Sequence, residues 1–187
     1  MIKEKDQMKP KGPLMIEHRL IEKMIEVIRK IRENALKDNK IDKNAVETIV
    51  DFIKFYADRT HHGKEEDILF SALEQKGLSD EDRKLMNELV EEHKFGRKLT
   101  REIDEANEAI LREPGKSIAK IIINFEMLID FYPKHIEKED KIFFPSTEKY
   151  FTESELDSML MKFWEFDKEI IHQKYTNTVE KLEQLLI

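Results

Sequence analysis

Two segments of the chain carry a histidine and a glutamate at the same spacing, followed by nearly the same residues. The first segment, HHGKEEDILF, begins at His61, and the second, HIEKEDKIFF, begins at His135. A glutamate follows each of these histidines by four residues, at Glu65 and Glu139. Because residues four apart lie on one face of an α-helix, each pair would present an imidazole and a carboxylate together. Such a pair, occurring twice, is typical of helix bundles that hold two metal ions.

The first segment allows a second histidine–glutamate pair, because His62 and Glu66 have the same spacing. Alignment of the two segments favours the His61–Glu65 pair, since it matches the apolar residues that follow in both segments. In this alignment His62 corresponds to an isoleucine of the second segment. The sequence therefore predicts that His62 flanks the site. Glu66 and Asp140, which align with each other, are interpreted as acids that surround the ligands or face solvent.

Two further histidines lie on the apolar faces of predicted helices. His18 shares a stripe with Leu14 and Ile21, and His93 shares one with Leu89. A carboxylate in a bundle core is costly or becomes protonated, unless a cation compensates its charge. Four inward imidazoles beside two inward glutamates therefore indicate metal. Since the chain has no cysteine, its metal ligands must be histidines and carboxylates.

The donor set favours iron. Four imidazoles and two bridging carboxylates supply about eight donor atoms, whereas two six-coordinate ions need about twelve. The open positions would take a bridging oxygen, water or an exogenous ligand. Imidazole with carboxylate suits iron, and also manganese or zinc. A structural zinc site is usually closed, often with thiolates, so an open site of this type is expected to be reactive.

The composition predicts an all-α protein. Of the 187 residues, 40% are hydrophobic and 39% charged, and only five are glycine and five proline, so few positions interrupt a helix. The net charge of −7 argues against nucleic acid or an anionic membrane as partner. The N-terminal residues lack the apolar core of a signal peptide, and no apolar run approaches the roughly 18 residues that span a membrane. We expect a cytoplasmic protein.

The apolar spacing predicts five helices, of which the first four are joined by short loops and form an up-down-up-down four-helix bundle. Their expected ranges are 14–37, 42–75, 79–113 and 116–144, and the fifth runs from 152 almost to the C-terminus. The chain is thus divided into a flexible N-terminal segment (1–13), the bundle (14–147) and an additional C-terminal helix (148–187). This last helix must pack on the bundle or on a second subunit, as in a homodimer.

Residues from about Leu14 to Pro145 resemble the hemerythrin family, in its HHE cation-binding branch. The resemblance rests on the two HxxKE segments, on GPLMIEHRLIE in the first helix and on EEHKFGR in the third. It implies a four-helix bundle with two non-haem irons, bridged by carboxylates and an oxo or hydroxo group. By motif position, it assigns six metal ligands: His18, His61, Glu65, His93, His135 and Glu139.

The chain departs from the family's oxygen carriers, which have two histidines four residues apart in the third helix. Here Leu89 and Arg97 flank His93 at that distance, so the site is one imidazole short. A donor from the last helix could close the open end of the bundle, and His172 is predicted as a further metal ligand for this reason. The alternatives are Glu22, Glu92, a tyrosine or water.

Three functions are compatible with such a site. The first is a redox-active di-iron protein that handles a small oxidant, namely dioxygen, nitric oxide or peroxide. The second is a sensing module, in which occupancy of the site alters the C-terminal helix. The third is metal storage or delivery without catalysis. The missing histidine argues against reversible oxygen carriage.

Overall fold

The structure is a computed structural model that describes residues 9–167 and 169–185, without the side chains of residues 169–173. Over these residues the chain forms six helices and no strand. Four of them are regular α-helices: α1 (Lys11–Asp38), α3 (Asp80–Ala109), α5 (Glu153–Phe166) and α6 (Glu169–Gln184).

The other two helices, α2 and α4, contain π-helical segments. Helix α2 covers residues 43–74 as Lys43–Phe52, the π-helical Ile53–His62 and Glu65–Phe70, and Ser71–Glu74. Helix α4 begins as Pro114–Lys138 and continues through the π-helical Glu139–Phe143 into Phe144–Thr147, before a 3-10 turn at Glu148–Tyr150. Such π turns are rare and often occur at functional sites.

Side-chain caps start three of the helices where the sequence predicts it. The Asp42 carboxylate accepts hydrogen bonds from the first backbone amides of α2, and Ser79 accepts one from Asp82 at the start of α3. Thr152 and Glu155 form a reciprocal capping box at the start of α5. These caps satisfy amides that have no partner within the helix.

Three predicted boundaries are wrong. Helix α1 begins at Lys11, inside the segment expected to be flexible. Pro145 does not end the fourth helix, which continues through Phe144–Thr147. The predicted last helix is two helices, since Asp167 is extended, with ψ of 108°, and ends α5.

The first four helices form an antiparallel bundle. One buried apolar cluster joins the N-terminal parts of α1 and α3, through Leu14 and Leu89, to the C-terminal parts of α2 and α4, through Phe70 and Phe143. A larger cluster fills the other half of the bundle. The histidines named above lie along each helix between these two clusters, so a polar layer divides the core.

The two C-terminal helices pack on the bundle of their own chain. Helix α5 contributes Met159 and Phe163 to the smaller apolar cluster, whereas α6 contributes Tyr175 and Val179 to the larger one. The junction between α5 and α6 therefore passes over the polar layer. Assembly with a second copy stays a prediction. Within the described residues, no helix has both the length and the apolar character needed to cross a membrane.

Candidate metal centre

The structure brings together the four histidines expected from the bundle helices, one from each helix. Each is buried, and the Glu65 and Glu139 side chains between them are fully inaccessible to solvent. Five short distances join a histidine Nε2 to a carboxylate oxygen: 3.2 Å for His18–Glu139, 3.7 Å for His61–Glu65, 3.4 Å for His93–Glu65, 3.6 Å for His93–Glu139 and 3.3 Å for His135–Glu139. In both glutamates, the two oxygens face different histidines, which is the arrangement of a bridging carboxylate.

His62 is a fifth imidazole that converges with these four, whereas the sequence predicts that it flanks the site. Its ring stacks on His93 with centroids 3.9 Å apart. The potential ligand atoms fall into two groups, each with members within 4.8 Å of one another: His62, His93 and His135, and then His18, His61, Glu65 and Glu139. The choice between His61 and His62 does not arise, because each histidine belongs to a different group.

The π-helical backbone explains how both histidines can face inward. They are the last two residues of the π-helical segment Ile53–His62. Just before them, the Thr60 hydroxyl donates a hydrogen bond of 2.7 Å to the carbonyl of Phe55, five residues earlier. Successive side chains of an α-helix are about 100° apart, and a π turn, with more residues per turn, brings them closer. With the α-helical period assumed from the sequence, one of the two histidine side chains would point away from the core.

A carboxylate faces the Nδ1 atom of every histidine in the centre. The five distances are 2.7 Å for His18–Asp140, 2.9 Å for His61–Glu17, 3.4 Å for His62–Asp58, 2.7 Å for His93–Glu66 and 2.8 Å for His135–Glu92. These contacts favour the proton on Nδ1 and leave the Nε2 lone pair directed at the middle of the site, as is usual for metal-binding histidines. Asp140 and Glu66 lie behind His18 and His93, the position expected for acids that surround the ligands.

Sequence reasoning missed Glu17 and Asp58, and it named Glu92 only as one alternative for an additional ligand. A signal was present, because Glu17 and Glu92 immediately precede the histidines of α1 and α3. Each of these glutamates binds the histidine of the following helix, His61 or His135, and not its own neighbour. The α1–α2 half and the α3–α4 half of the site thus repeat the same contacts.

Burial and mutual charge shift the proton equilibria of the centre. Burial, together with the charge of Glu139, raises the pKa of Glu65 well above its usual value. Burial and the neighbouring His18 lower the pKa of His61 to about 4. Burial acts to lower the pKa of His18 as well, but the carboxylates of Asp140 and Glu139 raise it to about 9. Burial thus disfavours the charged forms of Glu65 and His61, whereas neighbouring carboxylates favour the charged form of His18.

Nine buried nitrogen and oxygen atoms of the centre, all of them potential metal ligands, have no hydrogen-bond partner among the described residues. They are the Nε2 atoms of the five histidines and both oxygens of Glu65 and Glu139. A buried polar atom without a partner costs about 1–3 kcal/mol, so a group of nine requires an explanation. Nitrogen and carboxylate donors that converge on the same small volume fit a pair of metal ions.

Residues 13–147 match the family described as Hemerythrin HHE cation binding domain. The chain belongs to this family. The match covers the first four helices and so includes all five histidines and both glutamates of the centre. No curated protein and no solved structure gives a significant match.

The other candidates for an additional ligand of this hemerythrin domain differ in position. Glu22 pairs with Arg19 at 3.1 Å and is partly exposed. Glu92 faces the Nδ1 atom of His135, on the side away from the other donors. His172 belongs to α6, but its side chain lies outside the described residues, so its role as a ligand stays a prediction.

Proposed function

We propose that this hemerythrin domain binds two iron ions and handles or senses a small oxidant, such as dioxygen, nitric oxide or peroxide. The observation that carries the proposal is the group of nine buried donor atoms without partners. Imidazole and carboxylate together suit iron, and manganese or zinc are the alternatives. The family match supports cation binding, and the donor set supports the choice of iron.

The two ion positions would be unequal. One would be held by three imidazoles, from His62, His93 and His135, and the other by two, from His18 and His61. The two glutamates have an oxygen on each side and would contribute to both. Two six-coordinate ions need about twelve donors, of which the protein offers nine. About three positions would remain, one beside the three imidazoles and two beside the other pair, and water, a bridging oxygen or an exogenous ligand would occupy them.

Bound iron would supply a reversible change of oxidation state together with open coordination positions. The surrounding chain would keep bulk water away from these positions. Phe144 stacks beside His18 with centroids 5.9 Å apart, and Phe70 stacks beside His93 at 6.0 Å. Both phenylalanines belong to the smaller apolar cluster. Carboxylates behind each imidazole would compensate changes in the charge of the metal.

A cavity of about 230 Å³ beside His62 supports a small ligand. Gly96, Arg97 and Tyr132 line it on the side of α3 and α4. Since one water occupies about 30 Å³ of liquid, the space suits a few small molecules and not a large substrate. Burial raises the pKa of Tyr132 well above its usual value, so its hydroxyl keeps its proton and can donate a hydrogen bond.

The fifth imidazole changes the argument about oxygen carriage. From the sequence, the centre is one histidine short of the oxygen-carrying pattern, because α3 has Leu89 four residues before His93. His62 from α2 brings the number of imidazoles to five. The number of nitrogen donors therefore no longer argues against reversible oxygen binding.

Contacts between the metal-binding turn and the C-terminal helices favour sensing as a second candidate function. The Phe166 ring packs on Gly63 so closely that its Cζ is 3.0 Å from where a Cβ would be. Asp167 accepts hydrogen bonds of 2.6 and 2.7 Å from Lys64. Gly63 and Lys64 lie between His62 and the first glutamate of the centre, so a change in metal occupancy would reach the α5–α6 junction directly.

Anaerobic purification followed by iron loading tests the proposal. We expect about two irons per chain, from the donor count, and a near-ultraviolet spectrum that changes when air is admitted. Reversible changes would support oxygen binding, and turnover of added peroxide would support catalysis. Ions that do not react with air would favour storage or delivery. If the purified protein holds no transition metal after loading, the proposal is wrong.

Sensing is tested separately by hydrogen exchange of the α5 and α6 amides with and without bound iron. We expect slower exchange around the α5–α6 junction when iron is bound. Equal exchange in both forms would exclude the sensing role and leave the metal-binding proposal intact.

A further inference from the structure

The two HxxKE segments also share a lysine, three residues after the histidine, which the metal site itself does not use. These lysines are Lys64 and Lys138. We propose that both are positioning residues of the metal centre, each of which holds the carboxylate that orients the histidine of its own segment. The proposal rests on His61 and His135 being metal ligands, as the proposed function requires.

In the first segment, Glu17 connects the lysine to the histidine. Lys64 donates a hydrogen bond to one oxygen of Glu17, and the other oxygen lies 2.9 Å from His61 Nδ1. Both Lys64 and Glu17 are buried, with at most 1% of either side chain exposed. Asp167 is the second acceptor of the ammonium group. A buried carboxylate of this kind depends on its cationic partner, because loss of one member leaves the other uncompensated.

In the second segment, Glu92 has the same position between lysine and histidine. Lys138 donates to one oxygen of Glu92, and the other oxygen lies 2.8 Å from His135 Nδ1. Glu88 is the second acceptor of this lysine. The ammonium group here is nearer the surface, since 21% of the Lys138 side chain is exposed. Identical contacts at two places built from different helices indicate a common role for the lysine.

The contacts also explain the spacing of the motif. Residues three apart on a helix are neighbours, so each lysine lies beside its own histidine. The carboxylate comes from the preceding helix of each half, from the residue just before that helix's own histidine. Each lysine therefore fixes the distance between two ligand-bearing turns. Without it, the carboxylate can rotate away from Nδ1, and the imidazole loses the contact that keeps its proton there.

An ordinary ion pair would behave differently. A pair near the surface adds little to stability and has no influence on which imidazole nitrogen carries the proton. The tautomer of the histidine therefore separates a positioning role from a merely structural one. Nitrogen-15 NMR of the imidazole ring measures that tautomer in the metal-free protein, so the test does not require a working metal site.

The experiment compares Lys64→Met and Lys138→Met with the wild type. In metal-free wild-type protein, we expect His61 and His135 to carry the proton on Nδ1. Each variant should shift only the histidine of its own segment towards the Nε2-protonated form. Iron affinity should fall by about 10- to 100-fold in Lys64→Met, as for other residues that orient ligands. In Lys138→Met the loss should be about fivefold or less, because solvent screens the pair.

Two further variants complete the test. Lys138→Arg keeps a cation beside Glu92 and should restore both the tautomer and the affinity. Lys134→Met removes an exposed lysine one turn earlier in α4 and should change neither. Because Lys64 is buried, the Lys64→Met variant can fail to fold. Lys138→Met then still tests the proposal, because Lys138 is partly exposed.

Unchanged histidine tautomers in a folded Lys138→Met variant would overturn the lysine proposal, whatever the metal content. A wild-type protein that binds no iron would overturn the proposed function, whereas the metal-free NMR measurement would still decide the role of the lysines. The two failures are therefore distinguishable.

Discussion

Replacing His62 with alanine is expected to weaken iron binding at one of the two proposed positions. The structure groups His62 with His93 and His135, so the variant leaves that position with two imidazoles. The other position keeps both of its own imidazoles, from His18 and His61. The sequence alone leads to the opposite expectation, that this substitution has little effect on metal content, so the result separates the two interpretations.

The size of the effect follows from the number of donors lost. Loss of a residue that only orients a ligand usually lowers metal affinity by about 10- to 100-fold. Loss of a direct nitrogen donor should exceed the upper value, which corresponds to about 2.8 kcal/mol at about 1.4 kcal/mol per factor of ten. The second position is affected only through the shared glutamates. The variant should therefore retain less iron per chain after desalting than the wild type.

The assay is anaerobic iron loading of wild type and variant, desalting, and elemental analysis per chain. Far-ultraviolet circular dichroism shows whether the variant is folded. Lys134→Met is the control here as well, because Lys134 is exposed and belongs to neither group of potential ligands. If a folded His62→Ala variant holds as much iron as the wild type, with the same affinity, His62 is not a ligand and the asymmetric assignment of the two positions is wrong.

Three further predictions concern other parts of the molecule. His172→Ala tests the predicted additional ligand: if His172 binds iron, the variant should lose or shift an iron absorption band, whereas unchanged iron content and spectrum would exclude it from the ligands. Tyr132→Phe should keep the iron but weaken binding of azide by about 2- to 12-fold, as expected for one hydrogen bond of about 0.5–1.5 kcal/mol; an unchanged spectroscopic azide titration would show that the hydroxyl does not reach the ligand. The Asp82 carboxylate accepts a hydrogen bond of 2.7 Å from the Tyr150 hydroxyl and lies 3.0 Å from Lys149 Nζ. These contacts lower the pKa of Asp82 from 3.8 to about 2. Because its folded pKa is depressed, this carboxylate stabilises the fold above about pH 4 and loses that effect as the pH falls towards 2. Asp82→Asn should therefore unfold in urea with about 1–2 kcal/mol less stability at pH 7, and the difference from wild type should shrink between about pH 4 and pH 2; a difference independent of pH would contradict this assignment.

Much of the fold could be predicted from the sequence because its signals are local. Ser79 and Thr152 are followed three residues later by an acid, and both start helices as expected. The histidines of the four bundle helices were found because each is a polar residue on an otherwise apolar stripe. A local pattern cannot show where a helix is interrupted by a distant partner. Asp167, which ends α5 and binds Lys64 of α2, is the example.

Part of the site could not be predicted, because it depends on residues from different helices. Glu17 and Glu92 are next to histidines of the candidate centre in the sequence, yet each contacts a histidine more than 40 residues away. Helical periodicity describes the direction of a side chain within one helix. The partner that it meets depends on how the neighbouring helices are aligned, and this alignment is set by the two apolar clusters above and below the polar layer.

The sequence by itself determined that this protein is a helix bundle with metal-binding chemistry, because histidines and glutamates at α-helical spacing interrupt apolar stripes. Only the tertiary structure decided that five imidazoles converge and that they divide unequally between two groups. The physical reason is the π-helical backbone at Ile53–His62, which directs two successive histidines into the core. A pattern based on 3.6 residues per turn admits only one of them.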